Sequence, residues 1–588
     1  MSKKILLSII VLVIVTSAIY AFNLHNKLFW DDNDWIVNNP FVHNFSIENI
    51  KLLFTRNTLA GIGEKSNYYR PILFLSFALN YVIAGIKPLG YHLINNGLHL
   101  INVILIYLLL LKIFHNQRLA FIASLLFAIH PLQTEAVTYI SGRGDPLSVL
   151  FILLMLWLFL HYRNKRSWLA LTCSLILFVL AILTREVAII TPLLIVALVV
   201  SLESGRFWRN LWQGIKASLP YDVVAAIYVV LRLTVFNFKN TLNFYLQDNI
   251  YTQHLLIRIF TFFHALFDYI SLIFVPRHLH MERSVPLHTS LFQWPVWLTA
   301  LALVALVCGL VYLYRRERAN HALYEMSLFR VWFFSWSFFF IWLIPSSGII
   351  PVNALLYEHW LYLSLFGFFT LLAFYIDKLL LVIEKQKDII MQMIVVALLM
   401  IYGFWLGYIA IQRNKLWGNA VAFYRNVLRY EPDSVRIHNN LGNTYFDLGD
   451  KENAEKEYWE AVKTEDIFPQ PHFNLASILA ERGDIAGAII ELEKSIKIEP
   501  DFHYAYQSLS VLYAKQGNIT KASDYAQKLV QLRPSDPRVY YNYALVLLVQ
   551  KNQAKALEIS KQGLVYAERD QIARDALTDL VHRLAPKR

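Results

Sequence analysis

Three aspartates stand close together near the start of the chain, within residues 30–35 and directly after an apolar run at residues 5–22. Asp31 and Asp32 are adjacent, and Asp34 follows them. Carboxylates at the border of a membrane helix are costly unless they have a task or well-placed partners. They could take a proton from a hydroxyl group, ligate Mg²⁺ or Mn²⁺, or only cap the helix that follows. The stretch by itself leaves these interpretations open.

Further charged residues occur where other apolar runs end. Each has an ordinary structural explanation, since a loop ion pair contributes under about 1 kcal/mol to stability. Taken together, however, they carry both signs of charge, and the topology below assigns them to the side of the membrane that carries Asp31 and Asp32. The set comprises His130, Glu135, Arg143, Asp145, Arg185, Glu186, Glu282, Arg283, Glu358 and His359.

The composition indicates which elements must position these groups. Of the 588 residues, 57% are hydrophobic and 16% are charged, whereas a soluble domain carries about 25% charged residues. Apolar blocks of membrane-helix length run from residue 5 to residue 411, and the chain is polar afterwards. Much of the net charge of +12 lies in short loops between these blocks, which is typical of membrane topology rather than of nucleic-acid binding. Cys173 and Cys308 lie inside apolar blocks, so no disulfide framework is predicted.

The distribution of lysine and arginine predicts about 11 crossings, with the N-terminus in the cytoplasm and the C-terminal part outside. Residues 68–84 form a short run that contains Arg70 and Pro71, so we expect them to lie along the outer surface. Residues 255–275 are predicted to be re-entrant or interfacial, because a crossing there would place the basic residues 315–318 outside. The predicted crossings are residues 5–22, 91–111, 119–139, 147–162, 168–183, 187–202, 217–236, 297–314, 328–344, 355–376 and 389–411.

The polar C-terminal part repeats with a period of 34 residues. The recurring positions include Ala454, Ala488, Ala522 and Ala556, and also Gly449, Gly483 and Gly517. This period predicts tetratricopeptide repeats, which form a solenoid with a concave binding groove. The predicted fold class is all-α, with a polytopic membrane domain at residues 1–411 whose first outer loop is 23–90. A junction helix is expected at 412–433, four repeats at 434–569, and a capping helix at 570–588.

The absence of two common motifs narrows the chemistry. The sequence contains neither the glycine-rich, lysine-containing loop that cradles nucleotide phosphates nor the serine elbow of esterases. No nucleotide pool exists outside the cytoplasm, so an activated donor there must arrive on a lipid. Transfer of a sugar from a polyprenyl phosphate needs a base for the acceptor proton and positive charge for the departing phosphate. Carboxylates and arginines on the outer face would supply both.

Several motifs resemble the membrane-and-tetratricopeptide protein O-mannosyltransferases of the GT-C glycosyltransferase superfamily. Residues 358–363 are similar to the family's Glu-Arg-x-Leu-Tyr-Leu, with His359 in place of arginine, and Arg185-Glu186 stands where the family has Lys-Glu. The order of the two domains also matches. The other similar motifs are residues 30–32, 37–40, 69–71, 80–81, 90–95, 98–99, 127–131, 134–137 and 142–145.

The resemblance implies an inverting transfer of a hexose, mannose in the family, from a polyprenyl phosphate to a Ser or Thr hydroxyl of a protein. It implies that Asp31 or Asp32 is the catalytic base. We expect Asp32 to act with Asp31 as its partner, because neighbouring carboxylates titrate as a coupled pair. The expected donor-phosphate and substrate residues are Arg70, His130, Glu135, Arg143, Asp145, Arg185, Glu186, Glu282, Arg283, Glu358 and His359.

The resemblance also bears on cofactors, partners and location. No cofactor is required for a hydroxyl acceptor, although Mg²⁺ or Mn²⁺ at the acidic stretch is an alternative. No endoplasmic-reticulum feature is present, so we expect a bacterial-type chain in the inner membrane, with the site and the repeats in the periplasm and an undecaprenyl-linked donor. The expected partners are this donor, the bilayer, and an acceptor or other protein in the groove.

Two other functions stay open at this point. A lipid-linked oligosaccharide ligase would need a large, arginine-rich outer loop near the middle of the chain, whereas residues 237–254 contain only Lys239 as a basic residue besides His254. A membrane scaffold without catalysis would use the repeats alone, and it predicts that replacement of Asp31 and Asp32 has no effect.

Overall fold

The computed structural model describes residues 2–62, 64, 66–203, 206–236, 249–319, 327–351, 354–464 and 467–585. It divides the chain into two compact units, Met1–Asn419 and Ala420–Arg588. The described residues of both units are helices and their connections, apart from an isolated β-bridge between Arg283 and Leu356. The predicted all-α fold class is therefore confirmed.

The first unit is a bundle of apolar helices with short helical turns between them. Its helices are α1 (Lys3–Tyr20), α2 (Ile47–Thr55), α3 (Pro71–Ala84), α4 (Pro88–Phe114), α5 (Gln117–Ile129), α6 (Thr134–Thr138), α7 (Gly144–Lys165), α8 (Trp168–Thr184), α9 (Thr191–Leu202), α10 (Phe207–Thr234), α11 (Ile250–Gln253), α12 (Leu255–Phe274), α13 (Val296–Ala319), α14 (Leu328–Leu343), α15 (Ser364–Gln386) and α16 (Ile389–Leu416). By length and composition, nine segments among the described residues could cross a membrane, or ten if α5 and α6, which meet at a 56° bend, form one span.

Contacts between distant segments define the two ends of this bundle. At one end, Asn23 after α1 bonds Thr138 at the end of α6 (3.1 Å). We call this the acidic end, because Asp31 and Asp32 follow Asn23 by eight and nine residues. At the opposite end, Gln117 bonds Ser8 near the start of α1 (3.3 Å).

Helices α8 and α9 connect the two ends although they are short. Helix α8 has 17 residues and α9 has 12, so α8 spans about 25 Å at 1.5 Å per residue. Arg163 and Glu203 pair at the opposite end, whereas Arg185, between α8 and α9, reaches Asp145 at the acidic end. Both helices therefore run from end to end, as the sequence predicted, even though neither is long enough to count as a span by length.

Helix α12 is long and apolar enough to cross, but contacts near its start and in its second half hold both of these parts at the acidic end. Near its start, Arg258 donates to the Gly348 carbonyl (2.6 Å), and further along Tyr269 donates to the Tyr357 carbonyl (2.9 Å). Both carbonyls lie in the connection from α14 to α15, which belongs to the acidic end. Its last turn lies deeper, where Tyr402 of α16 donates to the Phe274 carbonyl (2.9 Å). The helix is thus oblique, consistent with the expected re-entrant or interfacial segment.

The second unit contains helix pairs that repeat with the sequence. After α17 (Ala420–Leu428) come α18 (Val435–Asp447), α19 (Lys451–Thr464), α20 (Pro469–Glu481), α21 (Ile485–Ile498), α22 (His503–Lys515), α23 (Ile519–Leu532), α24 (Pro537–Val549), α25 (Gln553–Leu564) and α26 (Gln571–Leu584). Gly449, Gly483 and Gly517 turn the chain within the first three pairs with φ of 81°, 88° and 79°. Such backbone conformations favour glycine because it has no Cβ. In the fourth pair, Lys551 takes this position with a φ of 61°.

Candidate active site

The carboxylate of Asp32 is buried and tightly held. Its Oδ1 accepts hydrogen bonds from the backbone N–H of Ser141 (2.9 Å) and from Ser141 Oγ (2.5 Å). Its Oδ2 accepts a longer one from the Phe29 N–H (3.4 Å). Ser141 belongs to a 3₁₀ turn, Ile140–Arg143, between α6 and α7. A connection in the chain's interior thus fixes the second aspartate of the pair.

Burial raises the pKa of Asp32 to about 7, and the charge of Asp31 adds to this effect. The hydrogen bonds from Ser141 and Phe29 act in the other direction, because they stabilise the ionised carboxylate. Asp32 therefore titrates near neutral pH, and its charge is coupled to that of Asp31.

Asp31 is half-buried, in contrast to Asp32. It lies within electrostatic reach of the hydroxyls of Tyr68 and Tyr139. Tyr139 stacks on Trp417 with ring centroids 5.3 Å apart, and Tyr68 lies under the guanidinium of Arg70 at 4.3 Å. Asp31 is thus the aspartate of the pair that faces the basic side of the site.

The backbone around the pair is unusual. Trp30 has a φ of 61°, in the left-handed region that residues with a Cβ rarely adopt. Residues Asn33–Val37 form a single turn of π-helix, a form that occurs often at functional sites. The two aspartates therefore lie between a strained residue and an irregular helical turn.

Two ion pairs lie at the junction of α8 and α9, and Arg70, Arg185 and Glu186 are, like Asp31, within electrostatic reach of the Tyr68 hydroxyl. Arg185 contacts Asp145 at 2.5 Å, and Arg70 contacts Glu186 at 2.8 Å. Glu186 also accepts from the Tyr69 N–H (2.8 Å) and has Arg232 of α10 at 3.7 Å. These groups bring three arginines and two carboxylates together, and they include four of the residues predicted from the sequence.

A second cluster of charged residues lies within electrostatic reach of these ion pairs. Glu358 lies between Arg413 (2.8 Å) and Arg283 (3.4 Å), and the adjacent His359 pairs with Glu135 through Nδ1. Burial raises the pKa of Glu358, and the two arginines oppose this shift. The structure thus places Glu135, Arg283, Glu358 and His359 in one cluster, as the sequence analysis expected.

Arg143 is also at this end, but its contacts serve the fold. It is fully buried, and each of its three nitrogens donates to the protein: Nε to Asn95 (2.6 Å), Nη1 to the Ser76 carbonyl (3.2 Å) and Nη2 to Asn80 (2.7 Å). Its guanidinium also lies 4.7 Å from the centre of the Phe77 ring. To bind a donor phosphate, Arg143 would have to give up these partners, so it is a weaker candidate than Arg185.

The other two predicted residues differ in their surroundings. His130 is fully buried and bonds the Ile273 carbonyl (2.9 Å) through Nε2, while its Nδ1 accepts from the Leu132 N–H (3.3 Å). It therefore caps the break between α5 and α6, which explains the His-Pro sequence there. Glu282 is half-buried, with a φ of 64°, next to Arg283.

Three residues with direct contacts to the site were missed by the sequence analysis: Ser141, Arg232 and Arg413. A serine in a short connection carries no spacing signal, and its partner Asp32 is 109 residues away. Arg232 and Arg413 could have been suspected, because each is a charged residue at the end of a predicted crossing that faces outside. Within the part of the chain that the structure describes, no three His, Cys, Asp or Glu side chains are grouped so as to hold a metal ion.

Family models match segments of both units of the chain. Residues 71–235 match the family model of the dolichyl-phosphate-mannose-protein mannosyltransferases. Tetratricopeptide models match residues 406–470, 469–502 and 509–568. Among solved structures, MamA is 23% identical and covers 27% of this chain and 92% of its own length, with a TM-score of 0.25.

Curated relatives extend over most of the chain. A protein O-mannosyl-transferase of Caenorhabditis elegans is 28% identical over 79% of this chain and 63% of its own length. The human protein O-mannosyl-transferase TMTC3 is 26% identical over 76% of this chain and 54% of its own length. The chain thus spans between half and two thirds of the length of these relatives. These matches show that the chain is similar to tetratricopeptide-containing protein O-mannosyl-transferases, with a membrane part that resembles the mannosyltransferase family model.

Proposed function

We propose that this protein transfers a hexose, with mannose as the first choice, from a polyprenyl-phosphate donor to Ser or Thr hydroxyls of proteins. The reaction takes place at the acidic end of the bundle. The observation that carries the proposal is the set of groups around Tyr68, whose hydroxyl lies within electrostatic reach of Asp31, Arg70, Arg185 and Glu186, while Ser141 anchors the adjacent Asp32.

The contacts favour different catalytic roles for the two aspartates. Asp32 is 2% exposed, and its Oδ1 already accepts two hydrogen bonds, so an acceptor hydroxyl cannot easily reach it. Asp31 is half-buried and can meet an acceptor that approaches from the surface. We therefore assign the base to Asp31 and the supporting role to Asp32, which reverses the assignment expected from the sequence.

The donor phosphate fits best against Arg70 and Arg185. Both side chains are largely buried, and arginine presents a planar fork of donors that suits a phosphate. A phosphate in this position would compete with Glu186 and Asp145 for the guanidinium groups. The negative charge that develops on the departing phosphate is then stabilised by Arg70 and Arg185, which are already in place. Such preorganised charges commonly make the largest contribution to catalysis.

The proposed reaction accounts for every proton and bond without a further reactant. The carboxylate of Asp31 takes the proton of the acceptor hydroxyl as the oxygen attacks C1 of the sugar. The new C1–O bond forms on the face opposite the phosphate, so the configuration at C1 inverts. The bond between C1 and the phosphate oxygen breaks, and the polyprenyl phosphate leaves with the electron pair.

We further propose that the acidic end faces the periplasm of a bacterial inner membrane, with the N-terminus in the cytoplasm and an undecaprenyl-type donor. The support is the excess of lysine and arginine in the connections at the opposite end, such as residues 163–166 and 315–318. The tetratricopeptide unit would bind the acceptor protein or a separate partner.

The test uses the full chain in lipid nanodiscs with a radiolabelled polyprenyl-phosphate mannose and a Ser/Thr-rich acceptor peptide. We expect wild-type transfer of single hexoses, and a loss of about 10²–10⁴-fold in Asp31→Asn, the range typical of general-base catalysis. Glu48→Gln, an exposed acid on α2, is the matched control and should leave transfer unchanged.

Each alternative function predicts another result in this assay. If Asp31→Asn and Asp32→Asn transfer as well as wild type, the site assignment is wrong. If wild type transfers no sugar while the repeats still bind a protein, the scaffold is favoured. If a preassembled oligosaccharide moves in one step, the protein is a ligase. The residues 237–248 that bear on the ligase from the sequence side lie outside the described part of the chain.

A further inference from the structure

The strained turn at Trp30 needs something to hold it. A non-glycine residue in the left-handed region persists only where its surroundings over-determine the conformation. Asp31 follows this residue directly, so the direction of its side chain depends on how firmly the turn is fixed. The turn's own backbone bonds are long or moderate, from Asp32 N–H to the Phe29 carbonyl (3.4 Å) and from Asn33 N–H to the Trp30 carbonyl (3.1 Å).

The strongest contact on this turn comes from Ser141. Its N–H and its Oγ both donate to Oδ1 of Asp32, at 2.9 and 2.5 Å. Hydrogen bonds to an ionised acceptor are about twice as strong as neutral ones. Ser141 is itself rigid, because Arg143 in the same 3₁₀ turn is bonded to Asn95 and Asn80.

We propose that Ser141 is a positioning residue: it fixes Asp32, and through the backbone it directs Asp31 toward the acceptor. This inference rests on the proposed function, since it gives Asp31 the base. The charged and titratable groups that face Asp32 are Asp31, Tyr91, Tyr139 and Arg143. Tyr139 also lies within hydrogen-bond reach of Ser141, so Ser141→Ala removes the anchor of Asp32 together with a contact to Tyr139, and it leaves the side chains of Asp31, Tyr91 and Arg143 unchanged.

The experiment compares Ser141→Ala with Ser141→Thr, which keeps the hydroxyl donor. Ser148→Ala is the matched control, because Ser148 is another buried serine at the start of α7 and bonds the Ala181 carbonyl (3.3 Å). The first readout is the pH profile of kcat/KM for hexose transfer. The second is an isotope-edited infrared titration of the aspartate carboxyls in nanodiscs, with Asp32→Asn used to assign the band.

We expect Ser141→Ala to move the infrared midpoint of Asp32 upward by about one pH unit. One hydrogen bond to a charged group is commonly of that size. kcat should fall about tenfold, since Asp31 is then less well directed. Ser141→Thr and Ser148→Ala should behave like wild type in both readouts.

The two readouts separate the two proposals. If the infrared midpoint of Asp32 stays at its wild-type value in Ser141→Ala, the positioning role is wrong, whatever happens to transfer. If the midpoint moves and wild type nevertheless transfers no hexose, the anchor is supported and the proposed function fails. If kcat falls equally in Ser141→Ala and Ser148→Ala and the infrared midpoint of Asp32 does not shift, the effect is merely structural. That result would overturn the inference.

Discussion

The two adjacent aspartates have very different surroundings, and this difference was not visible in the sequence. The order of residues marked Asp31 and Asp32 as candidates, because charge after a membrane helix needs an explanation. It led us to expect Asp32 as the base, because the sequence does not show its burial, which depends on Ser141, 109 residues away from Asp32. A sequence pattern reports neighbours along a helix or strand, whereas this contact is made by two irregular turns.

The raised pKa of Asp32 predicts a stability effect that depends on pH. With a pKa of about 7 in the fold and about 3.9 when unfolded, the folded state binds more protons between these values. Stability therefore falls as pH rises from about 4 to about 7 and stays low above that. Asp32→Asn removes this loss, so we expect the variant to be more stable than wild type at pH 8, by at most about 4 kcal/mol, and to show no such gain at pH 4.

The measurement is thermal unfolding of the full chain in nanodiscs at both pH values. Glu48→Gln serves as the exposed-acid control and should show no difference between them. A gain of equal size at pH 4 and pH 8 would contradict the assignment, because it would not come from the ionisation of Asp32.

At the level of elements, the periodicity of the sequence predicted the helices of the repeating second unit. It did not predict the irregular segments of the first unit. The 34-residue spacing predicted the helix pairs of the second unit, and the structure confirms them. A His–Glu pair follows the same spacing: His438 with Glu457 at 2.7 Å, which is half-buried, and His472 with Glu491 at 2.6 Å, which is buried. By contrast, the break at His130 and the oblique course of α12 depend on contacts between distant segments, which no local pattern encodes.

The turn of the fourth helix pair offers a test of the repeat geometry. Lys551 has a φ of 61° where its three counterparts are glycines, and a side chain with a Cβ in this conformation costs about 1–2 kcal/mol. We expect Lys551→Gly to stabilise the tetratricopeptide unit by about 1 kcal/mol. Gly517→Ala, in open space at a φ of 79°, should destabilise it by a similar amount.

Urea unfolding of a fragment that contains residues 420–588 would measure both changes. Each substitution is a control for the other. Lys551→Gly removes a Cβ from a residue with positive φ, whereas Gly517→Ala adds one, so the changes in stability should have opposite signs. If Lys551→Gly destabilised the unit, contacts of the lysine side chain would outweigh the backbone term.

At the level of the whole molecule, the charge distribution along the sequence predicted the path of the chain better than helix length does. By length alone, α8 and α9 are too short to count as membrane spans, whereas α12 is long enough. The basic residues 315–318 made a crossing at residues 255–275 unfavourable, and the contacts of Arg258 and Tyr269 agree with that interpretation.

Single-cysteine labelling tests this path directly. The sequence has only Cys173 and Cys308 to replace, after which cysteines are placed at Gln253, Thr289 and Lys165, all exposed. We expect Gln253→Cys and Thr289→Cys to react with an impermeant maleimide from one side of the membrane, and Lys165→Cys from the other. Labelling of Gln253→Cys and Thr289→Cys from opposite sides would mean that α12 crosses.

The course of α12 also affects how such a chain can change during evolution. On the path predicted from the sequence, the segment that contains α12 enters and leaves on the same side, so loss or gain of α12 together with its flanking turns would preserve the orientation of every later helix. Loss of a helix such as α8 would instead invert all membrane segments that follow it. α12 and the short α3 are therefore the apolar helices of this bundle, among those described, where insertions and deletions are compatible with an unchanged topology.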